Sequence, residues 1–437
     1  MQTRNPWADA RHTFGASLRR RSLALASLTL LALSSAALGP AALAHDGERD
    51  KRWVGSWSAS PQSPAAPQQI NDQTIREIVH LSIGGERVRV RLSNAFGTNS
   101  LVVGAAHVAQ RSSGASIVPG SSRALRFNGA TSTTIPPGAV AVSDPVHLVA
   151  PALGDLAVSL FIPGKQPATT EHSLGRQTTY LSPPGNFADA VAMPVDRSTQ
   201  SFYFLAGVEV LASEKARAIV TLGDSIADGF ASTVDANKRW PNRLAERLQA
   251  HKGGNRLAVL NAGISGNRVL HDNVGPNALG RLDRDVLVQS GARFLVVLEG
   301  INDIGIPGLF SVLFPTGGFG DQFVSAEQII AGHKQIIDRA HAMGMKVFGG
   351  TLTPFRAFVP GLYFSEEGEA KRQAVNHWIR NSKAYDAVID FDKAVRDPSN
   401  PSRMLPIYDS GDNLHPNDAG YEAMANAVDL SLFKDED

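Results

Sequence analysis

The sequence predicts two domains in series, an all-β region over residues 46–213 and an α/β region over residues 216–437 built on a parallel sheet with helices on both faces. Three observations lead there. The chain has 437 residues, more than one hydrophobic core usually serves, so two domains of about 150 to 250 residues are expected. The front half carries short alternating apolar runs broken by glycine and proline, the mark of a β-sandwich-like fold. From about residue 216 apolar runs alternate with helical periods, which predicts a parallel sheet. The boundary falls at 212–215, where charged residues separate the two textures.

The first 44 residues read as a targeting segment. Arg19-Arg20-Arg21 precede the apolar run Leu23 to Leu33, and small residues follow to Ala42-Leu43-Ala44. That order is a cleaved export signal: the basic end stays inside while the short apolar stretch inserts. The alternative is a retained anchor, but Ser34, Ser35 and Pro40 dilute the apolar run. Arg20-Arg21-Ser22-Leu23 also fits a twin-arginine signal loosely. A secreted or periplasmic protein with no stable membrane span after cleavage is the expectation. Without residues 1–44, which hold five arginines and one aspartate, the net charge moves from +1 to about −3. A mildly acidic protein with no long basic run after residue 52 is not built for nucleic acid. The chain has no cysteine, which excludes disulfides, thiolate zinc sites and thiol nucleophiles.

In the front half, Val79 to Ile83, Gly84-Gly85-Glu86 and Val88 to Leu92 read as a hairpin. Leu101 to Val103, Val140 to Val142 and Leu156 to Leu160 are further strands, and Pro136-Pro137-Gly138 and Pro163-Gly164 mark turns. His80, His107, His147 and His172 show no ligand spacing and read as structural or surface residues. In the second half, strands are expected at Ala218–Leu222, Leu257–Leu260, Phe294–Leu298, Met345–Phe348 and Val388–Phe391. Helices are expected at Pro241–Ala250, Ala326–Ala342, Glu366–Ser382 and Asp418–Leu432.

Ligands of open α/β sheets sit at the carboxyl ends of the strands, and four polar motifs fall there. Gly223-Asp224-Ser225-Ile226 puts a serine on a strand-to-helix turn, either as a nucleophile or as a helix N-cap. Asn261 to Asn267 holds Gly266, where a backbone N–H can approach a ligand or the glycine simply serves a loop. Gly300-Ile301-Asn302-Asp303 offers an amide donor for an oxyanion, or an Asx turn. Asp412-Asn413-Leu414-His415 sets an aspartate three residues before a histidine, close enough to fix its tautomer. A metal reading is weaker, since no second ligand pair sits at a fitting spacing.

Taken together, the four motifs resemble those of the SGNH hydrolase superfamily, also called the GDSL esterase/lipase family. The resemblance covers residues 216–437 and implies a flavodoxin-like α/β/α fold and two-step hydrolysis of acyl esters without cofactor or metal. It implies Ser225 as nucleophile, His415 as base, Asp412 as its orienter, and an oxyanion hole of Ser225, Gly266 and Asn302. No Gly-x-Ser-x-Gly elbow is present, which disfavours the larger α/β-hydrolase family. The front half is similar, more loosely, to the leading domain of secreted bacterial members, through Trp53-Val54-Gly55-Ser56-Trp57.

Two long insertions follow the third and fourth strands. Ile304 to Phe323 carries Phe310, Phe314, Phe319 and Phe323; Pro354 to Phe364 carries Phe355, Phe358, Tyr363 and Phe364. They read as walls for an acyl chain, stacking surfaces for a sugar, or packing between domains, with the first able to act as a lid. The expected activity is hydrolysis of short-acyl carboxylic esters, including O-acetyl groups on carbohydrate. The alternatives are a lipase or phospholipase, an acyltransferase, and a glycan-binding protein without activity.

Overall fold

The computed structural model describes residues 51–434; the export-signal reading of residues 1–44 lies outside the described residues. In the front half two antiparallel sheets share a buried apolar interior. One has the order Lys51–Ser58, Leu205–Ser213, Gly85–Ser93, Val146–Ala150, with Val140–Val142 also paired to Gly85–Ser93. The other runs Arg197–Thr199, Thr179–Pro184, Gln68–His80, Asp155–Ala168, Ala105–Ser113, Ser116–Ile117. Strand periodicity accounts for the burial. In Gly85–Ser93, Val88, Val90 and Leu92 are buried, while Arg89 and Arg91 on the opposite face pair with Glu209 at 2.6 and 3.3 Å.

The expected hairpin over residues 79–92 does not form. Gln68–His80 and Gly85–Ser93 lie in different sheets, and the residues between them cross from one to the other. Ser82 is the reason: its N–H and Oγ both donate to the Ser56 carbonyl, at 3.0 and 2.7 Å, and Leu81 N–H donates to Gly154 at 2.9 Å. Gly84 is required there, because a Cβ would sit 2.6 Å from the Ala150 carbonyl. The turn expected at Pro163-Gly164 is instead a bulge inside the long strand Asp155–Ala168, with Gly164 at φ +66°.

The second half is a five-stranded parallel sheet of β1 (Arg217–Gly223), β2 (Leu257–Gly263), β3 (Ala292–Leu298), β4 (Lys346–Gly350) and β5 (Ala387–Ile389), in the order 2-1-3-4-5. That is the flavodoxin-like order. The principal helices are α1 (Trp240–Ala250), α2 (Ile301–Leu313), α3 (Ala326–Ala342), α4 (Glu366–Asn381) and α5 (Asp418–Asn426). Right-handed crossovers put α1, between β1 and β2, on the face opposite α3 and α4, because the chain then reverses direction across the sheet. Packing agrees: α1 lies against α5, and α3 against α4. Ser325 and Gln328 form a reciprocal capping box on α3. Two expectations fail in length. The first insertion opens as α2 rather than as a loop, and the closing helix stops at Asn426 before a short 3-10 turn, Leu430–Phe433.

The two halves meet along a close seam. Gly55 N–H donates to Ser290 at 2.8 Å, Ser58 Oγ to the Asn261 carbonyl at 3.1 Å, and Val259 N–H to Ser82 Oγ at 3.0 Å. A Cβ on Gly55 would lie 2.8 Å from Leu260. Buried side chains of both halves belong to one contiguous apolar cluster.

Candidate active site

β1 ends at Gly223, and the chain turns at once into the short helix Ser225–Asp228. Asp224 caps this helix, its carboxylate accepting the Ile226 N–H at 2.9 Å. Ser225 is therefore not the cap, and its hydroxyl is available. Its Oγ lies 2.8 Å from Nε2 of His415. Nδ1 of the same ring lies 2.6 Å from Asp412, whose other oxygen accepts the N–H groups of Leu414 and His415 at 2.9 and 2.8 Å. Burial pushes the Asp412 carboxyl up, but the His415 hydrogen bond, its charge and the two amides outweigh this and hold it at about 2. An ionised carboxylate at Nδ1 leaves Nε2 as the proton acceptor facing the serine. Phe230 lies against the imidazole with 4.2 Å between ring centroids, and Phe358 meets it edge-on at 6.0 Å.

The loop after β2 turns tightly through Ile264 to Asn267, closed by Asn267 N–H to the Ile264 carbonyl at 3.0 Å. Gly266 occupies its third position at φ +78°, which a type II turn requires and side chains resist. Asn302 and Asp303, in the first turn of α2, reach across to this loop instead of capping their own helix. Asn302 Nδ2 donates to the Asn267 carbonyl at 2.9 Å, leaving its second hydrogen free to donate. Asp303 accepts from Val269 and Leu270 N–H at 2.7 and 3.0 Å. The structure thus brings Ser225, His415 and Asp412 into one hydrogen-bonded chain, and ties the Asn302 side chain to the Gly266 loop.

Sequence reading missed four supports of this arrangement. Tyr363, taken there for an acyl wall, donates its hydroxyl to Asn302 Oδ1 at 2.7 Å and so fixes which amide edge faces outward. Arg281, fully buried, donates to Gly223 at 3.0 Å, Ala262 at 2.7 Å, Asn267 Oδ1 at 2.9 Å and Ser60 Oγ at 3.2 Å. Asp228, four residues after Asp224, receives both Ser265 donors. His172, from the front half, is buried against Asp228 at 2.9 Å. A second acid near Ser225 was the one visible signal; the others depend on pairings between distant segments.

Beneath the site lie Asp224, Asp303 and Glu299, all buried. Burial pushes Glu299 far up and Asp303 to about 6, and it raises Asp224. Arg281, 3.8 Å from Glu299, opposes that rise. The insertions divide. Phe355 and Phe364 are core, Phe358 faces His415, and Phe310 meets Phe314 and Phe319 edge-on. Among the described residues no cluster of His, Asp and Glu is arranged to hold a metal, and no helix is long and apolar enough to cross a membrane.

Solved structures of similar fold include an aryl esterase from M. smegmatis (15% identity, TM-score 0.37, covering 48% of this chain and 96% of the other). Others are a carbohydrate acetylesterase from Sinorhizobium meliloti (14%, 0.36, 48% and 95%) and an acetylxylan esterase from Geobacillus stearothermophilus (17%, 0.36, 48% and 91%). No curated protein matches the chain. Residues 221–423 match the GDSL-like Lipase/Acylhydrolase family. The α/β half of the chain belongs to that SGNH hydrolase family, and its chemistry is the hydrolysis of carboxylic esters.

Proposed function

We propose that this protein is an exported serine esterase acting on short-acyl esters, including O-acetyl groups on carbohydrate. The observation that carries the mechanism is the chain Ser225 Oγ, His415, Asp412, at 2.8 and 2.6 Å. His415 Nε2 takes the Ser225 proton as Oγ attacks the ester carbon. The carbonyl oxygen becomes an oxyanion, held by the N–H groups of Ser225 and Gly266 and by the free Asn302 amide hydrogen. As the tetrahedral intermediate collapses, the alcohol leaves with the proton held by His415. Water then adds to the acyl-enzyme by the same route, releasing the acid and restoring Ser225. Export rests on the basic and apolar order of residues 19–44.

A rigid wall supports the short-acyl reading. A Cβ on Gly305 would lie 2.3 Å from the Tyr363 ring, and one on Gly308 would lie 2.2 Å from the Leu362 carbonyl. The second insertion is thus clamped onto α2, with Phe358 and Tyr363 fixed beside His415 and Asn302. One observation favours a lipase instead: Val312 and Leu313 at the end of α2, and Phe314 and Phe323 after it, are exposed. Hydrolysis of p-nitrophenyl esters of increasing acyl length separates the two. The short-acyl reading predicts kcat/KM highest for acetate or butyrate; a maximum on long chains, rising at a lipid interface, would establish the lipase.

A further inference from the structure

The front half of the chain sends one titratable side chain into the ester-hydrolase half, and it arrives beside the oxyanion loop. His172 is buried, with 6% of its surface exposed. Its Nδ1 faces the Ser60 carbonyl at 3.0 Å and its Nε2 faces Asp228 Oδ1 at 2.9 Å. Both partners are acceptors, so both ring nitrogens must carry hydrogen and the ring is a cation. The second Asp228 oxygen accepts the N–H and the Oγ–H of Ser265, at 3.0 and 2.8 Å. Asp228 is itself buried, at 2% exposure, and lies in the helix that Ser225 opens. Ser265 directly precedes Gly266. The connected path therefore runs from the front half, through the helix that carries Ser225, to the peptide that joins Ser265 to Gly266.

We propose that His172 is a positioning residue for catalysis, holding Asp228 so that Ser265 fixes the Gly266 amide relative to Ser225. The proposal rests on the oxyanion role assigned above to Gly266. It gives the front half a task in the reaction, since without it Asp228 Oδ1 loses its hydrogen-bonded cation and only the neighbouring charge of Arg239 remains. Such a carboxylate takes up a proton, turns toward water, or pulls in another donor. A carboxylate that turns away or re-pairs lets go of Ser265, and one that takes up a proton holds it more weakly. Burial opposes the His172 charge, but the Asp228 carboxylate outweighs it and raises the imidazole above its ordinary value. A second contact repeats the pattern: Arg281, which holds Asn267 and Ala262 on either side of the same loop, also donates to Ser60 Oγ of the front half at 3.2 Å.

The test is steady-state hydrolysis of p-nitrophenyl acetate by the full chain, with active sites counted from the initial burst. The variants are His172→Ala, His172→Gln, Ser265→Ala, Ser58→Ala and Ser225→Ala. A displaced oxyanion donor should cost part of what a deleted one costs, so kcat per active site in His172→Ala falls about 10- to 100-fold. KM stays within about twofold, because ground-state binding does not use the donor. His172→Gln, whose amide can still donate to Asp228, recovers most of the loss. Ser265→Ala lowers kcat in the same sense without touching the front half, and it carries the test if His172→Ala fails to fold. Ser58→Ala removes a seam hydrogen bond outside this path and keeps wild-type kcat. Wild-type kcat per site in both His172→Ala and Ser265→Ala overturns the proposal. So does an equal loss in Ser58→Ala, which would make the seam as a whole responsible. Activity that survives Ser225→Ala instead overturns the serine mechanism itself, and so separates the two failures.

Discussion

The two halves of the molecule place their buried polar groups differently. In the α/β half, β1 to β4 are almost wholly apolar within the sheet, and chemistry collects at their carboxyl ends: Asp224 and Ser225 after β1, Ser265 and Gly266 after β2, Asn302 and Asp303 after β3. In the front half, one set of buried polar groups follows the seam, Ser56, Ser58, Ser60, Gln62, Ser82 and His172, while another, around Arg76, Glu77 and Ser159, lies within its own sheet. The contrast follows from the ladders. Parallel strands satisfy one another's backbone and leave the loops at one edge free for function. The seam strands must satisfy the groups of a neighbouring layer, so their serines bond across it, as Ser82 does to Val259 and Ser58 to Asn261. The front half thus meets the other half through polar contacts.

Substitutions at the catalytic edge should act on rate, and those at the seam on stability. The largest effect is expected from Ser225→Ala, with kcat down by about 10⁴-fold or more and the fold kept; urea titration beside the kinetics checks both parts. Asn302→Ala comes next, at about 10²- to 10³-fold in kcat, and near wild-type turnover would contradict the oxyanion assignment. At the seam, Gly55→Val forces a side chain into Leu260 and should lower stability by about 1 to 3 kcal/mol, read from the urea midpoint. Val149→Ser, on the outward face at 68% exposure, should leave it within about 0.5 kcal/mol. Tyr363→Phe removes one hydrogen bond to Asn302 and should reduce kcat by up to about tenfold.

The smallest effect is a matter of pH. Asp412 is held at about 2, below its unfolded value of about 3.9. A depressed acid stabilises the fold fully above the unfolded value, and the contribution disappears as pH falls through the folded one. The stability gap between wild type and Asp412→Asn should therefore be constant above about pH 4 and shrink toward pH 2. A gap that widened on acidification would reverse the sign of that coupling.

Much of the α/β half was legible in the sequence because its signals are local. Ala326–Ala342 was read to the residue, since its apolar period, Ser325 cap and Gly344 stop all lie within the segment. The sites of Ser225, Asn302, Asp412 and His415 were legible because each motif follows a strand or precedes a helix. The hairpin over residues 79–92 was misread because alternation reports which face is buried and says nothing of which sheet a strand joins. Tyr363, Arg281 and His172 escaped for a related reason. Tyr363 and His172 have partners 61 and 56 residues away, and Arg281 reaches Gly223 58 residues back; no local pattern marks a tyrosine that will hold an amide or a histidine that will reach another layer.

The most direct test of the central claim is to catch the acyl-enzyme. The full chain is mixed briefly with p-nitrophenyl acetate, quenched in acid, digested and analysed by mass spectrometry. The account predicts a single acetyl group on the peptide carrying Ser225, absent from His415→Ala and present in excess over wild type when deacylation is slowed. An acetyl group on another residue, or ester turnover by a protein in which Ser225 is never acylated, would contradict it.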